Sequence, residues 1–291
     1  MPPKLTFFTP QPVFPSVSIT GTRCQLMCKH CRAHYLEGMV DVSTPERLRE
    51  FCVEHEARGG VGVLVSGGST REGRVPLRPF LGALQWVKEN TGLVLNLHTG
   101  MLSQEEAQEV ASTGVDVVSV DLVGSEDTLR QVYGLGVSVE EYGETLVHLV
   151  EAGVSVAPHV CVGLHFGEVR GERRALEQAS QVNPEVVVLI SLIPTPGTPM
   201  ADVEPPTASQ VAELVGYAAE VCPGSEVALG CMRSRRSKEE VERMAIQAGA
   251  SRIAMASRAT MGWALERGYQ VERLGGCCAL PPSILGRLPR L

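Results

Sequence analysis

The 291-residue chain predicts an α/β fold, a (β/α)8 TIM-type barrel followed by a C-terminal extension. Three observations carry this. Short Val/Ile/Leu runs alternate with stretches of helical period, the pattern of a parallel sheet with helices outside. Several runs are apolar throughout, as strands buried on both faces must be; Val186-Val187-Val188-Leu189-Ile190 is the plainest. Helix-start signals recur in phase between the runs.

The expected strands occupy residues 16–20, 61–66, 93–98, 116–122, 154–162, 185–192, 226–231 and 251–256. Ser103-x-x-Glu106, Ser138-x-x-Glu141, Thr207-x-x-Gln210 and Ser237-x-x-Glu240 read as capping boxes. Pro45, after Thr44, suits a first helical turn. Gly114, Gly153 and Gly249 lie where helix ends need a left-handed residue. Residues 1–260 form the barrel, with no linker or low-complexity break. Residues 261–291 extend past it within the same domain and end in a flexible Gly275-Gly276-Cys277-Cys278-Ala279-Leu280-Pro281-Pro282 tail.

Composition narrows the function. Hydrophobic residues make up 44% of the chain, ample for one large core. Net charge is −7, from 26 basic and 33 acidic residues, which argues against an electrostatic nucleic-acid binder. No run reaches the roughly 18 apolar residues of a membrane span. Met1-Pro2-Pro3-Lys4 does not open a signal peptide. Nine cysteines then suggest a reducing cytoplasm and metal ligation.

The densest chemical signal is Cys24-Gln25-Leu26-Met27-Cys28-Lys29-His30-Cys31, just after the first expected strand. A [4Fe–4S] cluster takes one thiolate per iron, so three close cysteines hold three irons and leave one free to bind a small molecule. A zinc site would want a second cysteine pair or a histidine pair, and adjacent Cys277 and Cys278 are poor tetrahedral ligands. A disulfide cluster does not suit a long chain without a secretory signal. In barrels, chemistry sits at the C-terminal ends of the strands, which is where this loop falls.

The C-x3-C-x2-C spacing resembles the cluster loop of the radical S-adenosylmethionine (SAM) superfamily, with His30 where those enzymes usually carry an aromatic residue. The resemblance covers roughly residues 15–260. It implies a [4Fe–4S] cluster on Cys24, Cys28 and Cys31 that binds SAM. One electron then cleaves the sulfonium, and the resulting 5′-deoxyadenosyl radical abstracts hydrogen from an unactivated carbon, which no side chain can do. A low-potential donor such as ferredoxin or flavodoxin is implied.

Further motifs align with this resemblance. Ser66-Gly67-Gly68-Ser69 is by itself a turn; in the family, Gly67, Gly68 and Ser69 correspond to the motif that holds the methionyl amino group. His98 ends strand three, as a core histidine or as a group facing the mouth. Asp121 ends strand four, as a helix cap or as an acceptor for a ribose or substrate hydroxyl. On strand five, Val160, Val162 and Gly163 fit the family's adenine-facing patch; His159 joins the binding candidates, and Cys161 reads as a packed thiol.

Gly197-Thr198-Pro199 after strand six, and Leu229-Gly230-Cys231-Met232-Arg233 with Met244-Ala245-Ile246-Gln247-Ala248-Gly249-Ala250, resemble the biotin synthase branch. That branch includes methylornithine synthase and a hydrogenase maturase. The comparison looks closest to biotin-synthase-related proteins that include two-component lipoyl synthases. Arg233 matches the arginine of biotin synthase's second, sulfur-donating cluster, but that enzyme's auxiliary cysteines are missing from their strands. Cys231, Arg233, Cys277 and Cys278 are therefore candidates for a differently built auxiliary cluster. Ser234 is a conceivable oxygen ligand, and Cys222 reads as buried.

The favoured expectation is sulfur insertion of lipoyl synthase type, on an octanoyl chain carried by a lipoyl carrier protein, with a second radical SAM subunit as possible partner. One alternative is a single-cluster mutase or lyase that binds a small polar substrate through Asp121, His159 and Arg170. Another is a non-catalytic iron–sulfur protein.

Overall fold

The computed structural model describes residues 3–235 and 237–291; Met1 and Pro2, in the N-terminal stretch read above, lie outside them. The strands are β1 (Lys4–Phe8), β2 (Ser16–Ser18), β3 (Val40–Asp41), β4 (Gly62–Ser66), β5 (Val94–His98), β6 (Val117–Leu122), β7 (Val156–Val162), β8 (Val186–Ser191), β9 (Glu226–Leu229), β10 (Arg252–Ala254) and β11 (Gln270–Leu274). All pair in parallel, in the order β11-β1-β10-β9-β8-β7-β6-β5-β4-β2-β3. Each expected strand has its counterpart, while β1, β3 and β11 were not foreseen.

The barrel is open. Among the described residues the sheet ends at β3 and β11 without joining, where the sequence suggested closure. The edge strand β3 has only two residues, and at the other end β1 and β11 extend the ladder beyond β10.

The helices are α1 (Pro45–Ala57), α2 (Leu81–Asn90), α3 (Gln104–Ser112), the single turn α4 (Glu126–Thr128), α5 (Val139–Glu151), α6 (Glu172–Ser180), α7 (Ala208–Val221), α8 (Lys238–Gln247) and α9 (Arg258–Glu266). Complete capping boxes open α3 at Ser103 and α7 at Thr207. Ser138 caps the Glu141 amide alone, and Ser237 makes no side-chain cap, so the fourth expected box is absent. Gly114, Gly153 and Gly249 have φ of 72°, 81° and 118°.

Strand alternation divides the apolar residues into two layers. Val63, Val65, Leu95, Leu97, Val118, Val120, Val160 and Val162 face outward and pack with helix residues such as Leu84, Leu149 and Val211. Val94, Val117, Ala157, Val186, Val188 and Ala228 face inward. Phe8, Phe14, Cys278, Leu280 and Ile284 fill that inner layer.

The C-terminal segment is thus a packed plug rather than a flexible tail. Leu280 is fully buried and Cys278 is 6% exposed. Buried Arg252 donates to the carbonyls of Cys278 (2.9 Å) and Leu280 and pairs with Glu226. Arg287 donates to the Gly92 carbonyl at 2.6 Å and lies 3.5 Å from Asp116. Gly92 and Asp116 immediately precede β5 and β6. The plug therefore stoppers the N-terminal end of the barrel, opposite the cysteine loop.

Candidate active site

The cysteine loop leaves β2 in an unusual backbone path. Met27, Arg32 and Ala33 all have positive φ, at 47°, 45° and 65°. Such conformations cost about 1–3 kcal/mol each and persist where surrounding contacts enforce them. The glycine motif after β4 holds the first half of the loop. A Cβ on Gly68 would lie 2.0 Å from the Arg23 carbonyl and 2.6 Å from Cys24 Cα, so only glycine fits. The Ser69 carbonyl accepts from Gln25 N (2.8 Å) and Leu26 N (3.3 Å), and Gly68 N donates to Thr20 Oγ1 at 2.7 Å. On the other side, Lys29 N donates to the Val132 carbonyl at 2.8 Å.

Cys28, His30 and Cys31 present ligand atoms within 4.8 Å of one another. Cys28 and Cys31 are hydrogen-bonded, which lowers the Cys31 thiol to about 4 with help from His30, and raises Cys28. Cys24 Sγ faces the Ser69 carbonyl at 3.8 Å. A thiolate already favoured at Cys31, with two further thiols on one strained loop, fits a cluster with a free iron. In that arrangement the three sulfurs would hold three irons and leave the fourth without a protein ligand.

That cavity, of about 220 Å³, lies at the C-terminal ends of the strands. It brings together Cys24, Cys28, Cys31 and His30 with Gly67, Gly68, Ser69, His98 and Asp121. Val160 and Val162 point away from it into the helix layer, 1% and 0% exposed. With Ala157 below them, His159 and Cys161 are the β7 residues that face the interior. Gly163 takes φ 75°, and its amide donates to buried Glu172 at 2.8 Å.

Two cavity residues gave no sequence signal: Tyr133 and Tyr142, whose rings lie 6.1 Å apart. Tyr133 ends a π-helical turn, Leu129–Tyr133, and reaches the His30 ring at 5.5 Å. Such turns recur at functional sites, but their extra residue leaves no mark on hydrophobic periodicity. Tyr35 bonds Thr195 Oγ1 at 2.7 Å, tying the segment after the cysteine loop to the loop after β8.

Deeper in the barrel, the His98 and His159 rings lie 5.4 Å apart, and burial lowers both imidazoles, His159 to about 4. Below them Asn96 faces Cys277 Sγ at 3.7 Å and accepts from Ser119 at 3.0 Å. Cys278 hydrogen-bonds Cys277 and lowers its thiol to about 7. Cys231 stays open to solvent, yet the surrounding protein raises its thiol and the Cys277 charge raises it further.

Other candidates are placed elsewhere. Arg233 is buried; it pairs with Glu242 and donates to the carbonyls of Gly230 and Met255 (3.2 Å). Cys222, at the end of α7, lies 4.0 Å from the Leu176 carbonyl in the outer layer. Arg170 is occupied by Asp127 (3.3 Å) and His165 (3.0 Å).

An open parallel barrel with a three-thiol loop at its mouth defines the class: an iron–sulfur enzyme of radical chemistry. Residues 18–178 match the radical SAM superfamily, and the chain belongs to it, within the biotin-synthase-like branch. It is 30% identical over 263 residues to biotin synthase of Erwinia tasmaniensis, covering 85% of this chain and 73% of that one. Identity to biotin synthase of Acinetobacter calcoaceticus is 29% over 250 residues, covering 81% and 73%. Among solved structures, the [FeFe]-hydrogenase maturase HydG superposes with a TM-score of 0.65 at 16% identity, over 92% of this chain and 64% of that one, less than two thirds of its length. Methylornithine synthase superposes at 0.60 with 16% identity, covering 86% and 72%. The chain is therefore an enzyme that uses SAM and a reductant, which sets aside the non-catalytic alternative. Among the described residues, no helix is long and apolar enough to cross a membrane.

Proposed function

We propose that this enzyme inserts sulfur into an unactivated aliphatic C–H position, in the manner of a lipoyl synthase, with an octanoyl chain on a lipoyl carrier protein as substrate. The observation that most supports this is the barrel floor. Cys277 and Cys278 put further thiols beneath the mouth that carries the first, and Cys231, beyond the C-terminal end of β9, is near enough to feel the Cys277 charge. When bound, a [4Fe–4S] cluster with SAM supplies the hydrogen-abstracting radical, and an auxiliary cluster on the lower thiols supplies sulfur.

The chain's own residues prepare the site for this. The Cys28–Cys31 hydrogen bond favours the thiolate at Cys31. Gly68 seats the cysteine loop against β4, and Tyr35 with Thr195 straps the mouth. The plug shuts the opposite end against water, which protects a radical from side reactions. A saturated chain entering at the mouth would run toward the floor thiols. The electron donor in this reading is a ferredoxin or flavodoxin, the compartment is a reducing cytoplasm, and a second radical SAM subunit shares the work.

Anaerobically reconstituted protein should bind about eight irons, two four-iron clusters, and a Cys277→Ala/Cys278→Ala variant about half of that. With SAM, reductant and octanoyl peptide, mass spectrometry should find a gain of sulfur. Iron at half the expected content in the unaltered protein would end the sulfur-donation reading. The imidazole pair and Asp121 favour a second reading, a single-cluster mutase or lyase on a small polar substrate. It expects the lower iron content and no sulfur gain.

A further inference from the structure

Cys231, Cys277 and Cys278 would fill three of the four terminal positions of an auxiliary four-iron cluster. We propose that His159, through Nε2, is the nitrogen ligand of an auxiliary cluster whose other ligands are Cys231, Cys277 and Cys278. This rests on the auxiliary-cluster reading above.

A four-iron cluster takes four terminal ligands, and these thiols supply three. Several other donors are engaged or lie elsewhere. The Arg233 Nη atoms are held by Glu242 and two carbonyls. The Asn96 amide is divided between Ser119 and Cys277. Cys222 and Cys52 lie in the outer layer.

His159 is prepared for ligation. Its Nδ1 lies 2.9 Å from the Ala157 carbonyl. A carbonyl can only accept, so Nδ1 carries the proton and the lone pair is on Nε2. Metal-ligating histidines are commonly held this way, with the distal N–H on a backbone carbonyl fixing tautomer and ring direction.

The height also fits. His98 lies two residues beyond Asn96 on the same face of β5, about 7 Å along the strand. Asn96 touches Cys277, and the His98 and His159 rings are 5.4 Å apart. The imidazoles thus stand one pleat above the Cys277 thiol, toward the mouth. Ala157 and Ala228, both small, are inward residues of β7 and β9. The only described group of three tight enough for a single ion is Cys28, His30 and Cys31. The looser spacing of the lower donors suits a cluster, whose terminal ligands sit on different irons. An imidazole in place of a thiolate would also raise the cluster's reduction potential.

The test removes the upper cluster with Cys24→Ala, Cys28→Ala and Cys31→Ala together, reconstitutes the protein anaerobically and reduces it without SAM. Iron should remain near four per chain. Pulsed electron paramagnetic resonance should show imidazole nitrogen coupling that changes on ¹⁵N-histidine labelling. Adding His159→Ala should abolish the coupling, while adding His98→Ala or Cys161→Ala should leave it. His159→Cys should keep the iron and lose the coupling, which guards against a variant that fails to fold. Iron present without imidazole coupling, or coupling that survives His159→Ala, overturns the assignment and leaves the auxiliary cluster standing. No iron at all in the triple variant overturns both.

Discussion

Gly68 shows how little space separates the two motifs of the upper site. Its missing side chain lets β4's loop touch the Arg23 carbonyl and Cys24. Gly68→Ala should push the cysteine loop outward and lower iron retention at Cys24, Cys28 and Cys31 several-fold while leaving the helical circular dichroism unchanged. Glu172 offers a second test. Burial raises its carboxyl, and its Oε1 accepts the Gly163 amide at 2.8 Å. The raised value means that the protonated form is favoured in the fold. Stability from this group is therefore present below the ordinary value of 4.5 and lost as pH rises through the higher folded value. Glu172→Gln keeps an acceptor for Gly163 without the charge. Urea denaturation from pH 4 to 8 should show less stability loss with rising pH in the variant than in the unaltered protein. Equal slopes would refute the argument.

At the scale of elements, what was legible in the sequence follows from locality. The cysteine loop and the glycine motif are short patterns whose partners are close in sequence or on the next strand. The eight main strands and two full capping boxes were legible for the same reason. Ser103→Ala, at one of those boxes, should lower stability by about 1 kcal/mol in a denaturant titration. Strand β7 shows where the reading failed. All but one of its residues is uncharged and compact, so alternation carries no polarity to tell inside from outside. Val160 and Val162 went to the helices, and His159 and Cys161 to the interior. The plug was illegible for another reason. Arg252 to Cys278 and Arg287 to Gly92 are contacts between segments far apart in the chain, which no local spacing announces. Leu280, buried at the centre of that plug, should cost about 2–5 kcal/mol when changed to Ala, measured by urea denaturation.

As a whole, the molecule is a tube with its entrance and its stopper made by opposite ends of the chain. The upper thiols belong to residues 24–31, and the lower ones to residues 277 and 278. A polypeptide is made from its N-terminus onward. The upper loop and its glycine support therefore exist long before Cys277 and Cys278 have been translated. Any metal in the lower chamber must be installed afterwards, either before the stopper seats or through the entrance, past His98 and His159. If the lower thiols hold a cluster as proposed, loading has an order imposed by synthesis: a rim that can mature early, and a chamber that must wait for the plug.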